Sequence, residues 1–391
     1  MKLFLKKLYK TFPGLYIFIY KNIARYFIIF FRTLHNLYLW NTDYFKIYKN
    51  KTETKGKILG IYDLSYQPYS IGDFIDLNQS CLLKAYEYKI EIIDIAIINS
   101  YKTKNKSIEY NMINQENSLF FINSIISVIQ LNSKIGSLFI FDDHDQYLKF
   151  ILDNKNKYIV LPNSRQLALK TYIMRVAFND VYFNFYNKYK KINNIEIPQY
   201  LKDWSMNFYK KFDNNKTTFI TVNLRNNPIH AFDRNSNLNV WIDFFDYYKS
   251  IYNIKFIIIC AKSEVDERFR YLDNVIIAKD YNTTLEQDLS LISTSTIHLG
   301  TASGPFSVAL YTTKPYMMFS WNGDATTHKC IKKVDNYFQF IFANKHQKIF
   351  NEKETTEVLK NEFEIFLKEN LLVSTIENKL QHSDVVTTWL N

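Results

Sequence analysis

Apolar residues in this chain gather into short, nearly unbroken runs separated by longer amphipathic stretches. The clearest runs are Lys57–Leu64 (KILGIYDL), Ile90–Ile98 (IEIIDIAII), Thr217–Leu224 (TTFITVNL) and Ile254–Cys260 (IKFIIIC). Strands apolar at successive positions are buried on both faces, as in a parallel sheet covered by helices. Shorter runs at Ser137–Phe141, Tyr158–Leu161, Val275–Ala278, Ile297–Gly300 and Tyr316–Phe319 predict further strands. Helices are expected at Phe74–Tyr88, from about Arg165 to Asn193, and at Val240–Tyr252, Leu285–Ser293 and Pro305–Tyr311. A late one, Glu352–Glu369, repeats Val358, Leu359, Phe363, Ile365 and Phe366 at helical spacing.

The strand–helix alternation starts twice. Pro198 and the polar run Asp213-Asn214-Asn215-Lys216 separate the two starts, which predicts two domains, 57–205 and 216–370. A segment over 1–48 precedes them and a tail over 371–391 follows, with the part near Trp389 expected to cross back onto the first domain. The expected class is α/β, with two Rossmann-like, doubly wound domains facing a central cleft. Ligands of such sheets bind at the carboxyl ends of the strands. The strand-to-helix loops are therefore where chemistry is sought.

Composition narrows the field. Of 391 residues, 47% are hydrophobic and 22% charged, the balance of a globular chain rather than a disordered one. The net charge of +11 calls for an anionic partner. The lysines are dispersed and form no zinc-finger or RNA-recognition pattern, so nucleic acid is not expected; anionic lipid or a phosphorylated substrate is. Cys81, Cys260 and Cys330 lie far apart with no CxxC, which fits buried thiols in a reducing compartment. The basic, aromatic segment 1–48 carries Lys21, Arg25 and Arg32, which break its apolar runs below the ~20 residues of a spanning helix. It reads as a helix lying in the membrane interface or packed on the body. The expected location is cytoplasmic, peripheral to the inner face of a membrane.

Four loops carry candidate chemistry. Ser70-Ile71-Gly72-Asp73 opens the first predicted helix, where Gly72 permits close approach of a ligand. Asp73 there is either a helix cap or a base for an acceptor hydroxyl. Gly300-Thr301-Ala302-Ser303-Gly304-Pro305 joins a strand to a helix; Thr301, Ser303 and Gly304 offer hydroxyls and amides to a diphosphate. No GxxxxGK[ST] is present, which argues against a P-loop. Asn223–Arg234 brings two arginines, Arg225 and Arg234, to a crevice loop where guanidinium groups grip phosphate, with His230 as a further loop residue. Asp142-Asp143-His144-Asp145 has the composition of a metal site, but consecutive side chains cannot all point at one ion if a helix begins there. A cap and an acidic first turn explain it, and no metal or other cofactor is expected.

The order and spacing of these segments, from about Lys57 to Phe319, resembles the heptosyltransferase-like inverting glycosyltransferases of GT-B fold. Gly72-Asp73 is similar to that family's glycine-aspartate loop, and Thr283-Thr284-Leu285-Glu286-Gln287 through Ser303-Gly304-Pro305 is similar to its donor-binding segment. Ala302 replaces an acidic residue of the family pattern and Ser307 a histidine, departures that bear on the donor's sugar. The resemblance implies that Asp73 is the catalytic base, that Arg225, Arg234, Thr301, Ser303 and Gly304 hold the donor diphosphate, and that Glu286 reaches the ribose. It implies metal-independent transfer, with inversion, from a nucleotide sugar to a glycan or lipid-linked acceptor, in surface-polysaccharide or lipopolysaccharide synthesis. Two other readings stay open: a sugar-nucleotide epimerase or hydrolase on the same fold, and a non-catalytic, membrane-associated assembly protein.

Overall fold

The computed structural model describes residues 56–64, 69–99, 118–154, 157–161, 174–213, 217–227, 234–321 and 329–370. The basic segment 1–48, His230 and the tail 371–391 lie outside the described residues. Within them the chain is mixed α/β, built on two sheets.

The first half runs β1 (Lys57–Asp63), α1 (Ile71–Tyr88), β2 (Ile93–Ile98), α2 (Ser118–Ile129), β3 (Ile135–Phe141), α3 (His144–Asp153), β4 (Tyr158–Leu161) and α4 (Met174–Tyr189). Its four strands are all parallel, in the order β3-β2-β1-β4. Central β1 and β2 are buried along their length, whereas edge strand β3 is half exposed. β2 starts three residues later than its apolar run suggests. Lys89 ends α1 in the left-handed region at φ 54°, and the amide of Ile90 bonds back to Ala85 O at 2.8 Å, so residues 90–92 close the helix instead of opening the strand.

The second half holds α5 (Gln199–Lys210), β5 (Thr218–Asn223), α6 (Leu238–Tyr248), β6 (Ile254–Ile259), β7 (Val275–Ile277), α7 (Leu285–Thr294), β8 (Ile297–Thr301), α8 (Ser307–Leu310), β9 (Tyr316–Phe319), β10 (Ile331–Val334), β11 (Tyr337–Phe340), β12 (Gln347–Ile349) and α9 (Thr356–Asn370). Its strand order is β10-β11-β12-β9-β8-β5-β6-β7. The strands from β7 through β12 are parallel, and β10 and β11 add an antiparallel hairpin at the edge.

Three apolar layers hold these elements together. α3 covers one face of the first sheet through Tyr147 and Ile151. α6 and α9 cover one face of the second through Trp241, Phe244, Phe245, Phe363 and Phe366. The remaining helices bury a continuous core between the two sheets. Strand periodicity sorts the side chains: Phe256 and Ile258 face α6 and α9, Ile257 and Ile259 the central core. α5 packs on α7, with Ser205 Oγ 2.7 Å from Ser290 Oγ and Tyr209 O–H donating to Leu291 O at 3.0 Å. The break expected after residue 205 therefore falls inside a helix tied to the second half.

A buried carboxylate locks the first sheet at the amino ends of its strands. Asp94 accepts from Lys57 Nζ at 3.1 Å, Tyr158 O–H at 3.0 Å and the Ser137 amide at 2.8 Å. It is fully buried with every contact satisfied, as a structural carboxylate must be. Cys81, Cys260 and Cys330 are buried free thiols. No helix among the described residues is long and apolar enough to cross a membrane.

Candidate functional site

In each sheet the order of the parallel strands reverses direction at one point, and doubly wound sheets bind their ligands outside the strands' carboxyl ends at such a switch point. In the first sheet the switch lies between β1 and β4, beside the chain that leads into α1. In the second it lies between β5 and β8, where Asn223 pairs in register with Gly300. The loops singled out from sequence leave these strands.

Ser70 caps α1. Its Oγ accepts the amide of Asp73 at 3.4 Å while its own backbone stays extended. Asp73 is therefore the third helical residue and not the cap; the residue is 3% exposed and lies in the first turn, where the helix field favours a negative charge.

The turn after β8 rests directly on this helix start. A Cβ placed on Gly304 would lie 2.9 Å from Ile71 Cβ and 3.2 Å from the Gly72 amide nitrogen. One placed on Gly72 would lie 2.9 Å from Ser307 Oγ and 3.6 Å from Gly304 Cα. The two glycines are required because the backbones of the two loops touch; what each approaches in this structure is the other.

Beneath this contact a polar frame shapes the turn. Asn223, 2% exposed at the end of β5, donates from Nδ2 to Ile259 O at 2.9 Å and accepts the Ser303 hydroxyl on Oδ1. Thr301 is fully buried and its hydroxyl lies 2.5 Å from Ser236 Oγ, so its side chain braces the frame instead of facing the loops. Ser303, with its one hydroxyl proton committed to Asn223, can offer a ligand its amide. Among the described residues the amides of Ser303, Gly304 and Phe306 donate no hydrogen bond. The helix expected at Pro305–Tyr311 is only the four residues Ser307–Leu310, because residues 304–306 form a turn. Its dipole is correspondingly small, and anion attraction falls to the open amides and to charged side chains.

Two arginines flank the frame. Arg225 follows β5; its amide donates to Ser236 Oγ at 3.0 Å and its carbonyl accepts the Ser236 amide at 2.8 Å. Asn227 and Asn235 exchange two 3.0 Å bonds, which closes the base of the loop. Arg234 donates from Nη2 to Ala302 O at 2.6 Å, so its guanidinium lies against the glycine turn itself. Both arginines are half-buried. Glu354, 1% exposed, fixes the next stretch by accepting the Asn237 amide at 2.6 Å and Trp241 Nε1 at 3.0 Å.

Glu286 is in the first turn of α7, which Thr284 and Gln287 cap reciprocally. Its Oε2 is buried and takes no hydrogen bond among the described residues. Nearby Asp288 pairs with Lys279 at 2.6 Å and accepts Thr283 Oγ1; burial holds its carboxyl up at about 6. His298, on β8 below the turn, is fully buried with Nδ1 2.9 Å from Thr221 Oγ1, and burial pushes its imidazole down to about 3. It is a neutral core residue at ordinary pH. Asp143 caps α3, accepting the Gln146 amide at 3.0 Å, which accounts for the acidic run at 142–145. Among the described residues no three His, Cys, Asp or Glu side chains group as metal ligands.

The structure thus brings Gly72 and Gly304 into contact and gathers Arg225, Arg234 and Ser303 around the second switch point. Asn223 and Ser236 complete that arrangement and Ser70 caps the facing helix; Ser236 lay outside the loops singled out, and Asn223 and Ser70 had no role assigned within them. A polar residue closing an otherwise apolar strand, as Asn223 does, is the signal that marked it.

Compared with solved structures, the chain aligns over 81% of its length with 98% of a glycosyl transferase family 9 protein from Veillonella parvula, at 12% identity and a TM-score of 0.50. The fold is similar to that of glycosyl transferase family 9. Other similar structures are E. coli ADP-heptose lps heptosyltransferase II (12% identity, 80% of this chain and 99% of that one, TM-score 0.47) and E. coli heptosyltransferase WaaC with ADP-2-deoxy-2-fluoro heptose (11%, 81% and 100%, 0.42). No family model and no curated protein matches the sequence.

Proposed function

We propose that this chain is an inverting glycosyltransferase moving a sugar from a nucleotide-sugar donor to a hydroxyl of a glycan or lipid-linked acceptor. The observation that carries the reading is the contact between Gly72 and Gly304. It brings the helix start that carries Asp73, a buried residue, against a turn with open amides and Arg234 bonded at its edge, which supports a base and a diphosphate site side by side. The donor lies on the second half, at the carboxyl ends of β5 and β8, with its diphosphate on the amides of Ser303 and Gly304 and against Arg225 and Arg234. Glu286, with a buried oxygen that lacks a partner, takes a ribose hydroxyl.

The acceptor hydroxyl enters from the first half. Asp73 removes its proton as the oxygen attacks the anomeric carbon. The bond from that carbon to the diphosphate oxygen breaks, the configuration inverts, and the nucleoside diphosphate leaves with the electron pair. The amides and guanidinium groups stabilise the leaving charge, so no divalent cation is required in this scheme. The acceptor's lipid and a membrane-peripheral site of action fit the chain's +11 charge.

The test is Asp73→Asn, which keeps shape and removes the base. Nucleotide release in the presence of acceptor should fall by about 10²–10⁴, the usual worth of a general base, while nucleotide affinity holds. Wild-type turnover in Asp73→Asn would show that the carboxylate serves only the helix.

A further inference from the structure

One turn below Asp73, α1 carries a second carboxylate on the same face, Asp76. It is the meeting point of two buried phenols. Tyr182 of α4 donates to the Asp76 carbonyl at 2.8 Å and lies 3.4 Å from its Oδ1. Tyr311, which caps the end of α8, donates to the same Oδ1. The phenols are 1% and 2% exposed, and their rings lie 5.4 Å apart. Tyr311 is held at its backbone too: its carbonyl accepts the amide of Ile195, in the stretch that joins the two halves, at 3.1 Å.

α1 therefore touches the segment 303–311 at two places. The first is Gly72 against Gly304; the second, four residues along the helix and about 6 Å further down its axis, is Asp76 against Tyr311. A single point of contact lets two bodies rotate about it. A second point one turn away removes that rotation. A carboxylate oxygen that accepts from one buried phenol and lies within reach of a second is a strong second point, because it ties two helices to α1 at one atom.

We propose that Asp76 is a positioning residue, a strut that fixes the angle between the helix bearing Asp73 and the turn bearing Ser303 and Gly304. The inference rests on the reading that these two loops form the two sides of the transfer site. Asp76 contacts neither donor nor acceptor. It acts by holding the base and the diphosphate turn in one register.

The test uses the full chain with Asp76→Asn, Tyr311→Phe and the double variant. With the angle loosened, kcat falls about 10–100-fold while KM for the donor stays within about twofold, since a ~1 Å misplacement costs chemistry more than binding. The double variant is no slower than the worse single variant, because both remove one strut. A lowered melting temperature with wild-type kcat in all three would mean that Asp76 only stabilises the fold, and would overturn the proposal. Amide hydrogen exchange supplies a readout independent of turnover. Residues 71–76 and 303–311 exchange at least about tenfold faster in Asp76→Asn, while β2 and β6 keep wild-type protection. Unchanged exchange in both segments overturns the strut whatever the activity. Accelerated exchange there, together with wild-type turnover in Asp73→Asn, leaves the strut standing and rejects the transfer reading instead.

Discussion

Replacing Gly304 with alanine adds one methyl group at the contact on which the account depends. The new Cβ would sit 2.9 Å from Ile71 Cβ and 3.2 Å from the Gly72 amide nitrogen. Ordinary contacts begin at 3.4 Å, so the two loops must part by about 0.5 Å. Neither obstacle can swing aside, since one is main chain and the other is the Cβ of a helical residue. Overpacking of this kind costs about 1–3 kcal/mol. For a chain of this size that lowers the melting temperature by roughly 1–4 °C. The functional effect is larger in proportion, because a ~1 Å misplacement of a reacting group costs about 10² in rate and half that shift about tenfold. Scanning calorimetry and a nucleotide-release assay on the same preparation measure both. Gly300→Ala is the contrast. Its Cβ would fall 2.2 Å from Asn223 O, and its φ of +141° disfavours any side chain, so that variant fails at folding. A Gly304→Ala protein with wild-type melting temperature and turnover would refute the argument that the two loops meet tightly and that their meeting matters.

Two further predictions concern stability. Asp94→Ala strips an acceptor from the buried Tyr158 hydroxyl and the Ser137 amide, at about 1–3 kcal/mol for each group left unmet, so urea titration should show a loss of about 2–5 kcal/mol. A loss below about 1 kcal/mol would mean that water replaces the carboxylate. His298 has a folded pKa of about 3, below its unfolded value. Its contribution is thus complete above the unfolded pKa near 6.5 and drains away as pH falls towards 3. From pH 7 to 4.5 the unfolded chain gains about two pH units of protonation that the folded chain refuses, worth about 3 kcal/mol. The stability advantage of wild type over His298→Gln should narrow by about that amount across this range, and a constant difference would place a proton on the buried ring.

Much of the fold was legible because buried parallel strands announce themselves as unbroken apolar runs. β1, β5, β6 and β9 fall within a residue or so of the KILGIYDL, TTFITVNL, IKFIIIC and YMMF segments. Two elements were hidden for identifiable reasons. α5 follows a proline and precedes a polar run, so it read as a boundary although Leu201, Ser205, Phe208 and Tyr209 recur on one helical face. The β10–β11 hairpin turns on Asp335-Asn336, with Asp335 at φ 49°, a two-residue signature outweighed by the lysines around it.

The site was legible as a set of loops but not as an arrangement. Gly72 and Gly304 looked like residues that let backbone approach a ligand; only the folded chain reveals that they approach each other. Thr301 and Ser303 looked equivalent in GTASG. Strand geometry separates them, turning Thr301 inward to Ser236 and placing Ser303 over Asn223. Asp76 had no sequence signal, because its partners are 106 and 235 positions away.

The central claim is that the turn after β8 holds the diphosphate of a nucleotide. Isothermal titration of the full chain with UDP, GDP, ADP, CDP and dTDP, repeated on Arg234→Gln, tests it most directly. The account predicts that at least one nucleoside diphosphate binds with 1:1 stoichiometry, and that Arg234→Gln weakens it by about tenfold or more, the 1.5–3 kcal/mol of a hydrogen bond to a charged group. Binding of none of the five, or binding that Arg234→Gln leaves untouched, would contradict it.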